Sequence, residues 1–198
     1  MTKPVWHEPL ISRTQRWNKH GLSGATVWLT GLSGSGKSTI ANELARELLN
    51  TSRLAYILDA DNLRHGLNTG LGFSDTDRAE NIRRVAEVAC LFADAGIVAI
   101  VPIISPFIAS REHARKIHTD NELRFVEVHV ATPVEECERR DTKGLYAKVR
   151  SGEMTGLSGV DSIYELPKSP EVTVGAKNET LEQSVAKIMT KLLTKAGK

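Results

Sequence analysis

The stretch ATVWLTGLSGSGKSTI, Ala25 to Ile40, decides how this chain is read. Its first six residues, Ala25 to Thr30, are apolar and β-prone and lie between Gly24 and Gly31, the signature of a buried strand. Gly31 to Ser38 then fits G-x-x-x-x-G-K-[ST], which average residue usage would produce by accident in such a chain on the order of one time in a hundred. From Lys37 to Leu49 the apolar Ile40, Ala41, Leu44, Ala45, Leu48 and Leu49 recur at helical spacing. Strand, glycine loop and helix in that order make a phosphate cradle. Glycines let backbone N–H groups turn inward, and the helix N-terminus adds its positive end. Gly31, Leu32, Ser33, Gly34, Ser35, Gly36, Lys37, Ser38 and Thr39 are therefore candidate ATP-binding residues, with Lys37 for the β- and γ-phosphates and Ser38 for Mg²⁺.

The alternation continues outward. Ala55 to Leu58 reads as a second buried strand, and a helix fits Asp75 to Ala95 with Ser74 as its cap and Ile82, Val85, Ala86, Ala89 and Ala93 as its inner stripe. Ile97 to Ile104 reads as a third strand, Arg124 to Val130 as a fourth, and the residues around Val172 as a short fifth. A last helix starts at Thr180, where Thr-Leu-Glu-Gln matches a capping box, and turns Leu181, Val185, Ile188, Leu192 and Leu193 inward. The pattern predicts an α/β fold, a parallel sheet covered by helices on both faces. Residues 1–24 are polar and irregular and read as an N-terminal arm; residues 25–198 read as one domain. Glu138 to Thr155 breaks the rhythm. It has too few apolar residues for the core and carries Arg139, Arg140, Lys143, Lys148 and Arg150, which reads either as a solvated helical face or as a basic lid over phosphates.

Composition excludes several classes. The 198 residues carry 26 Lys plus Arg against 24 Asp plus Glu, a net +2, so a broad basic surface for nucleic acid is not expected. Cys90 and Cys137 are the only cysteines, and His7, His20, His65, His113, His118 and His129 show no ligand spacing, which argues against a disulfide scaffold or a zinc site. Cys90 lies among alanines on the long helix and reads as a small core residue, while Trp6 and Trp17 are expected to dock the arm onto the body or onto another subunit. The longest apolar run, Ala95 to Ile104, is about half of the roughly 20 residues a membrane helix needs and contains Pro102. The first residues lack a basic and apolar leader, so the cytoplasm is the expected compartment.

A nucleotide loop leaves switches, motors and kinases open. A GTPase would carry N-K-x-D after a later strand, yet the one Asn-Lys pair, Asn18-Lys19, precedes the first strand and lacks the Asp. Asp141-Thr-Lys-Gly144 has D-x-x-G spacing but lies in the basic stretch. The third strand ends in Ile103-Ile104-Ser105-Pro106, without the acid that motor ATPases use there. Asp59 and Asp61 follow the second strand, where ligands bind in open α/β sheets. Asp59 is assigned to capping the following turn, and Asp61 to the chemistry, as proton acceptor for an attacking hydroxyl or as a Mg²⁺-orienting group. Size, acids and basic stretch together favour a P-loop kinase-like enzyme for a small molecule.

The combination of this loop with Asp59-Ala-Asp-Asn62 and Arg64, Leu71-Gly-Phe-Ser74, Arg78-Ala-Glu-Asn-Ile-Arg-Arg84, Ile104-Ser-Pro-Phe107, Arg140-Asp-Thr-Lys-Gly-Leu-Tyr146 and Gly159-Val-Asp161 resembles the adenylylsulfate kinase family, from about Val5 to Pro170. The resemblance implies transfer of the ATP γ-phosphoryl group to the 3′-hydroxyl of adenosine 5′-phosphosulfate with Mg²⁺, giving 3′-phosphoadenosine 5′-phosphosulfate for sulfate assimilation. It further implies a homodimer and functional coupling to an ATP sulfurylase. Alternatives are a kinase of another small alcohol, for which Phe73, Arg78 and Asn81 have no reason to occur together, and an inactive nucleotide-binding regulatory subunit, against which Lys37, Ser38 and Asp61 argue.

By the same resemblance Asp61 sits beside the 3′-hydroxyl, Arg64, Arg78 and Asn81 hold the phosphosulfate, and Phe73 stacks on the substrate adenine. Ile104 and Ser105 line that pocket, Lys143 and Leu145 belong to the lid, and Arg140 approaches ATP from it. The family is often described with a phosphoserine at the position of Ser105. The sequence names no base beside it, so direct in-line transfer is the expectation, with Ser105 as a pocket residue open to phosphorylation. Two departures stand out: Ala60 replaces a glycine, which requires a negative φ there, and Leu157 replaces a phenylalanine, which covers a ring without stacking on it.

Overall fold

Parallel pairing aligns the carboxyl ends of five strands along one edge of a single sheet in the computed structural model, which describes Val5, residues 7–176 and residues 178–194. The strands are β1 (Ala25–Thr30), β2 (Ala55–Ile57), β3 (Val98–Pro102), β4 (Arg124–Val130) and β5 (Val172–Val174), in the spatial order β2-β3-β1-β4-β5. The register sets Ala25 opposite Val98 on one side and Arg124 on the other. Central β1 is buried along its whole length, which is why it reads as a continuous apolar run and not as an alternation.

Eight helices accompany them among the described residues: α1 (Arg13–His20), α2 (Lys37–Asn50), α3 (Ala60–Leu63), α4 (Asp75–Ala95), α5 (Ile108–Asp120), α6 (Val134–Arg140), α7 (Leu145–Arg150) and α8 (Leu181–Leu193). On one face α2 and α8 bury Ile40, Leu44, Leu48, Val185, Ile188 and Leu192 against Val27, Leu29, Ile100 and Val128. On the other, α4 and α5 bury Ile82, Val85, Ala86, Ala89 and Ala114 against Trp28, Ala99, Val101 and Phe125. Small residues on α4 let it approach closely. At Gly24, just before β1, an added Cβ would sit 1.9 Å from the Ala93 carbonyl oxygen.

Helix ends follow the sequence signals. Ser74 caps α4 by accepting from the Asp77 N–H, and Thr180 with Gln183 forms the complete capping box of α8. Cys90 is buried beside Ala93 and Leu123, as expected. His118 is a core residue, its Nε2 2.7 Å from Thr26 Oγ1 and its Nδ1 2.8 Å from the Ala114 carbonyl, and no cluster of metal-binding side chains occurs among the described residues.

Several expectations are corrected. β2 is not a buried strand: it is three residues long at the sheet edge, and Tyr56 is exposed there against Phe92. β3 is shorter at both ends than Ile97 to Ile104, because the chain leaves the sheet after Pro102 to form the site. Leu193 is exposed, one position beyond the inward stripe of α8. The arm contains a helix, α1, opened by a Ser12 and Gln15 capping box. Trp17 docks it onto the body, donating its indole N–H to the Asp94 carbonyl at 2.9 Å; Trp6 lies outside the described residues. The basic stretch is not simply a solvated surface, since α6 and α7 bury Cys137 and Tyr146 with Leu157 in a small cluster of their own.

Candidate active site

Each strand delivers one loop to the same edge. The glycine loop follows β1, Asp59 and Asp61 follow β2, Ser105 follows β3, Thr132 follows β4 and Gly175 follows β5. Ligands collect in this crevice because loops on either side of the point where strand order reverses diverge and leave a gap. The gap is a cavity of about 360 Å³. It is lined by Lys37, Ser38, Asp61, Arg64, Phe73, Arg78, Asn81, Ile104, Ser105, Arg140, Lys143, Leu145 and Leu157, so residues more than a hundred positions apart in sequence meet in one place.

The loop itself is held open by its backbone. Gly34 has φ +73°, and an added Cβ would lie 2.9 Å from the Cys137 carbonyl oxygen of α6. Tyr146 of α7, packed beside Cys137, holds the loop as well, its hydroxyl donating to the Ser33 carbonyl at 2.9 Å. Lys37 is buried and folds back, donating from Nζ to the carbonyls of Gly31 at 3.0 Å and Leu32 at 2.7 Å. Burial pushes its ammonium down to about 8, the positive charge of Lys143 adding to the effect and Cys137, Asp61 and Asp59 opposing it. Neutral carbonyls are a poor substitute for phosphate oxygens, so this lysine is poised to exchange them for an anion. Among the other loop residues, Ser33, Gly34, Gly36 and Thr39 line the cavity, Ser35 faces a neighbouring one, and the Leu32 side chain packs instead into the cluster under α7.

Asp59 caps α3, accepting from the N–H groups of Asp61 and Asn62 at 3.0 and 3.2 Å, the structural task assigned to it. Ala60 lies in the helix with φ negative, so replacement of a glycine is tolerated there. Asp61 is exposed and forms an ion pair with Lys143, which tethers the segment between α6 and α7 across the cavity. Arg140 is anchored to Glu136 at 2.8 Å and leans over Gly36 of the loop, 3.7 Å from where a Cβ would stand.

On the opposite wall, Phe73 is exposed rather than packed in the core, and the Arg64 guanidinium lies 4.3 Å over its ring. Arg64 also donates to the carbonyls of Leu71 and Gly72, both at 3.1 Å. Arg78 reaches the carbonyls of Phe73 at 2.8 Å and Gly156 at 2.7 Å and the Ser158 hydroxyl at 3.1 Å. Those contacts engage three of its five N–H groups and leave two for a ligand.

Ser105 is buried, with φ +42°, a backbone conformation a non-glycine residue adopts only when its surroundings impose it. Trp28 donates its indole N–H to Ser105 Oγ at 3.1 Å, and Arg111 donates to the Ser105 carbonyl at 2.6 Å while paired with Glu127 at 2.9 Å. In the sequence Trp28 reads only as part of the strand β1, and no local spacing singles out Arg111 as a support of Ser105. No carboxylate or imidazole hydrogen bonds to Ser105 Oγ among the described residues.

A second cavity, about 670 Å³, adjoins the first and shares Gly36, Thr39 and Arg140 with it. Thr132, Pro133, Gly175, Ala176 and Thr180 are among its other lining residues.

A parallel sheet, a phosphate loop opening α2 and two contiguous cavities over it define a P-loop nucleotide-binding protein of the small-kinase class. A Janibacter sugar kinase at 23% identity shares the fold, with a TM-score of 0.55 over 85% of this chain and 94% of that one. The model of the adenylylsulphate kinase family matches residues 23–175, and the chain belongs to that family. An adenylyl-sulfate kinase of Clostridium kluyveri is 51% identical over 188 residues, 95% of this chain and 93% of its own. A Mycobacterium tuberculosis APS kinase solved in complex with AMPPNP and APS is 49% identical, with a TM-score of 0.84 over 87% of this chain and 99% of that one.

Proposed function

We propose that this protein transfers the γ-phosphoryl group of ATP to the 3′-hydroxyl of adenosine 5′-phosphosulfate. The observation that carries the reading is the convergence of Lys37, Asp61, Arg64, Phe73, Arg78 and Asn81 on one cavity in a member of this family. The second cavity takes the ATP base and ribose, which sets the triphosphate along Gly34, Gly36 and Lys37 and under Arg140. Lys37 releases the Gly31 and Leu32 carbonyls to hold the β- and γ-phosphates. Arg64, Arg78 and the amide of Asn81 hold the phosphosulfate. Phe73 stacks on the substrate adenine after exchanging Arg64 for the base, and Leu157 covers the pocket from below.

Asp61 accepts the proton of the 3′-hydroxyl once Lys143 withdraws from it, and Lys143 with Leu145 belongs to a basic lid. Mg²⁺ suits the donor set: Ser38 and the Asp61 carboxylate offer hard oxygens, and the few protein ligands are what an ion held largely by phosphates and water needs. When bound, it neutralises charge on the phosphates. Direct in-line transfer is supported by the surroundings of Ser105, whose Oγ accepts from Trp28 and has no base hydrogen bonded to it among the described residues. Carried with this reading are a cytoplasmic location, a homodimer, coupling to an ATP sulfurylase, and the division into an arm over residues 1–24 and a kinase domain over 25–198. No helix among the described residues is long and apolar enough to cross a membrane.

The test is to incubate the protein with ATP, Mg²⁺ and a panel of acceptors. A 3′-phosphorylated product from adenosine 5′-phosphosulfate, and none from sugars or sugar acids, is expected; turnover of a sugar alone would refute the reading. An isotope chase of labelled ATP with Ser105→Ala protein checks the route. Retained turnover is expected, whereas its loss together with a kinetically competent phosphoenzyme in the parent would establish the covalent path.

A further inference from the structure

Asn68 lies in the loop after α3 and is 1% exposed. Its Nδ2 donates to Asn81 Oδ1 at 2.9 Å, and its own Oδ1 is the single buried side-chain polar atom among the described residues without a hydrogen-bond partner. A primary amide pair can be joined in two senses, with either asparagine as donor. In the sense found here Asn81 spends its oxygen on Asn68, and its Nδ2 has no protein acceptor among the described residues while the residue lines the cavity. The reverse sense would satisfy Asn68 Oδ1, leave Asn68 Nδ2 in its place, and turn an oxygen lone pair of Asn81 toward the cavity.

We propose that Asn68 is a positioning residue that holds the Asn81 amide with its nitrogen toward the substrate anion. One end of the Asn68 amide is left over in either sense, and the sense found here is the one that suits an oxyanion in the cavity, which needs donors and is repelled by acceptors. Asn68 is not required to shape its loop. The backbone of Asn68 bonds Leu63 at 2.9 Å, Arg84 donates to the Leu67 carbonyl and Arg64 to that of Leu71, both at 3.1 Å. The amide side chain is thus free to serve Asn81.

This inference rests on the proposed contact between Asn81 and the phosphosulfate, and the experiment separates the two. Purified full-length protein is assayed for KM of adenosine 5′-phosphosulfate, KM of ATP and kcat, with thermal melting alongside, for Asn81→Ala, Asn68→Leu, Asn68→Asp and the double variant Asn68→Leu with Asn81→Ala. Asn68→Leu removes the donor together with the orphan oxygen. It is expected to raise the KM for adenosine 5′-phosphosulfate about tenfold, the worth of roughly one hydrogen bond, with KM for ATP and kcat within about twofold and an unchanged melting point. Asn68→Asp is expected to raise it further, because the introduced carboxylate accepts from Asn81 and turns its oxygen outward. In the Asn81→Ala background Asn68→Leu should add nothing. If Asn81→Ala raises this KM and neither Asn68 variant does, or if the two effects multiply, the positioning role is overturned and the reading of Asn81 survives. If Asn81→Ala has no effect, that reading falls and the inference with it. Should Asn68→Leu fail to fold, Asn68→Asp carries the same decision.

Discussion

Lys37 must be charged to hold phosphate, yet the fold buries it beneath the glycine loop and lowers its ammonium to about 8 from 10.5. Between those values the unfolded chain binds more protons than the folded one, so this group's unfavourable contribution to stability is present below about 8 and fades as pH rises toward 10.5. Nucleotide binding has the opposite sign. Phosphates favour the charged form, so the complex takes up a proton from solution wherever free Lys37 has lost it. Calorimetric titration of ATP at about pH 8 in two buffers of different ionisation enthalpy should give an uptake of about half a proton, vanishing near pH 6 and absent in Lys37→Met. Affinity should fall as pH rises above about 8; an affinity that is flat there would exclude Lys37 as the phosphate ligand. Asp61 carries a complementary expectation. Asp61→Asn keeps the shape but cannot accept the 3′-hydroxyl proton, so kcat should drop roughly 10²- to 10⁴-fold with KM for ATP little changed. A loss confined to KM would make Asp61 a binding group only.

The elements that sequence made legible are those whose burial is periodic or continuous. β1, α2, α4 and α8 could be read because the residues they bury are mostly apolar, and α4 and α8 also start at recognised side-chain caps. The unread elements bury something else. α5 turns Arg111, Ala114 and His118 inward, a stripe that looks polar in one dimension. α1 buries no residue fully, and α6 and α7 bury one each, Cys137 and Tyr146. The site divides the same way. The loop and Asp61 have local spacing, but the support of Ser105 by Trp28 and of Asn81 by Asn68 joins residues 77 and 13 positions apart. α6 gives this scale its test. Its Cys137 carbonyl lies against Gly34, so Gly34→Ala forces a Cβ into 2.9 Å contact and a side chain into φ +73°. The variant should bind ATP at least tenfold more weakly while melting within a few degrees of the parent, because the strain falls on the loop and not on the core. Unchanged ATP affinity would show that α6 yields, and with it the cradle's rigidity.

The net charge of the molecule is small, +2, because 26 basic residues stand against 24 acidic ones, and many of the two kinds meet across the fold. In the stretch that seemed most basic, Arg139 and Arg140 are held by Glu136, Arg150 by Glu138 and Lys143 by Asp61. The same logic joins the arm to the far end of α4. Arg16 and Trp17 reach the Asp94 carbonyl at 3.2 and 2.9 Å, in the last turn of α4, where carbonyls lack helical partners, and Arg13 reaches the Asn121 carbonyl at 2.7 Å. α4 has 21 residues and so spans about 30 Å, with Arg78 and Asn81 near its first turns and Asp94 in its last. A helix of that length separates stability from catalysis. Trp17→Ala removes a half-buried indole and its hydrogen bond, about 2 kcal/mol, which for a chain of this size is a fall of about 4–8 °C in melting temperature. At temperatures well below the transition, kcat and both KM values should be those of the parent, because Asp94 and Asn121, which α1 holds, line neither cavity. Scanning calorimetry paired with steady-state kinetics decides it: a catalytic loss in fully folded protein would mean that α4 transmits the docking of the arm to the anion site.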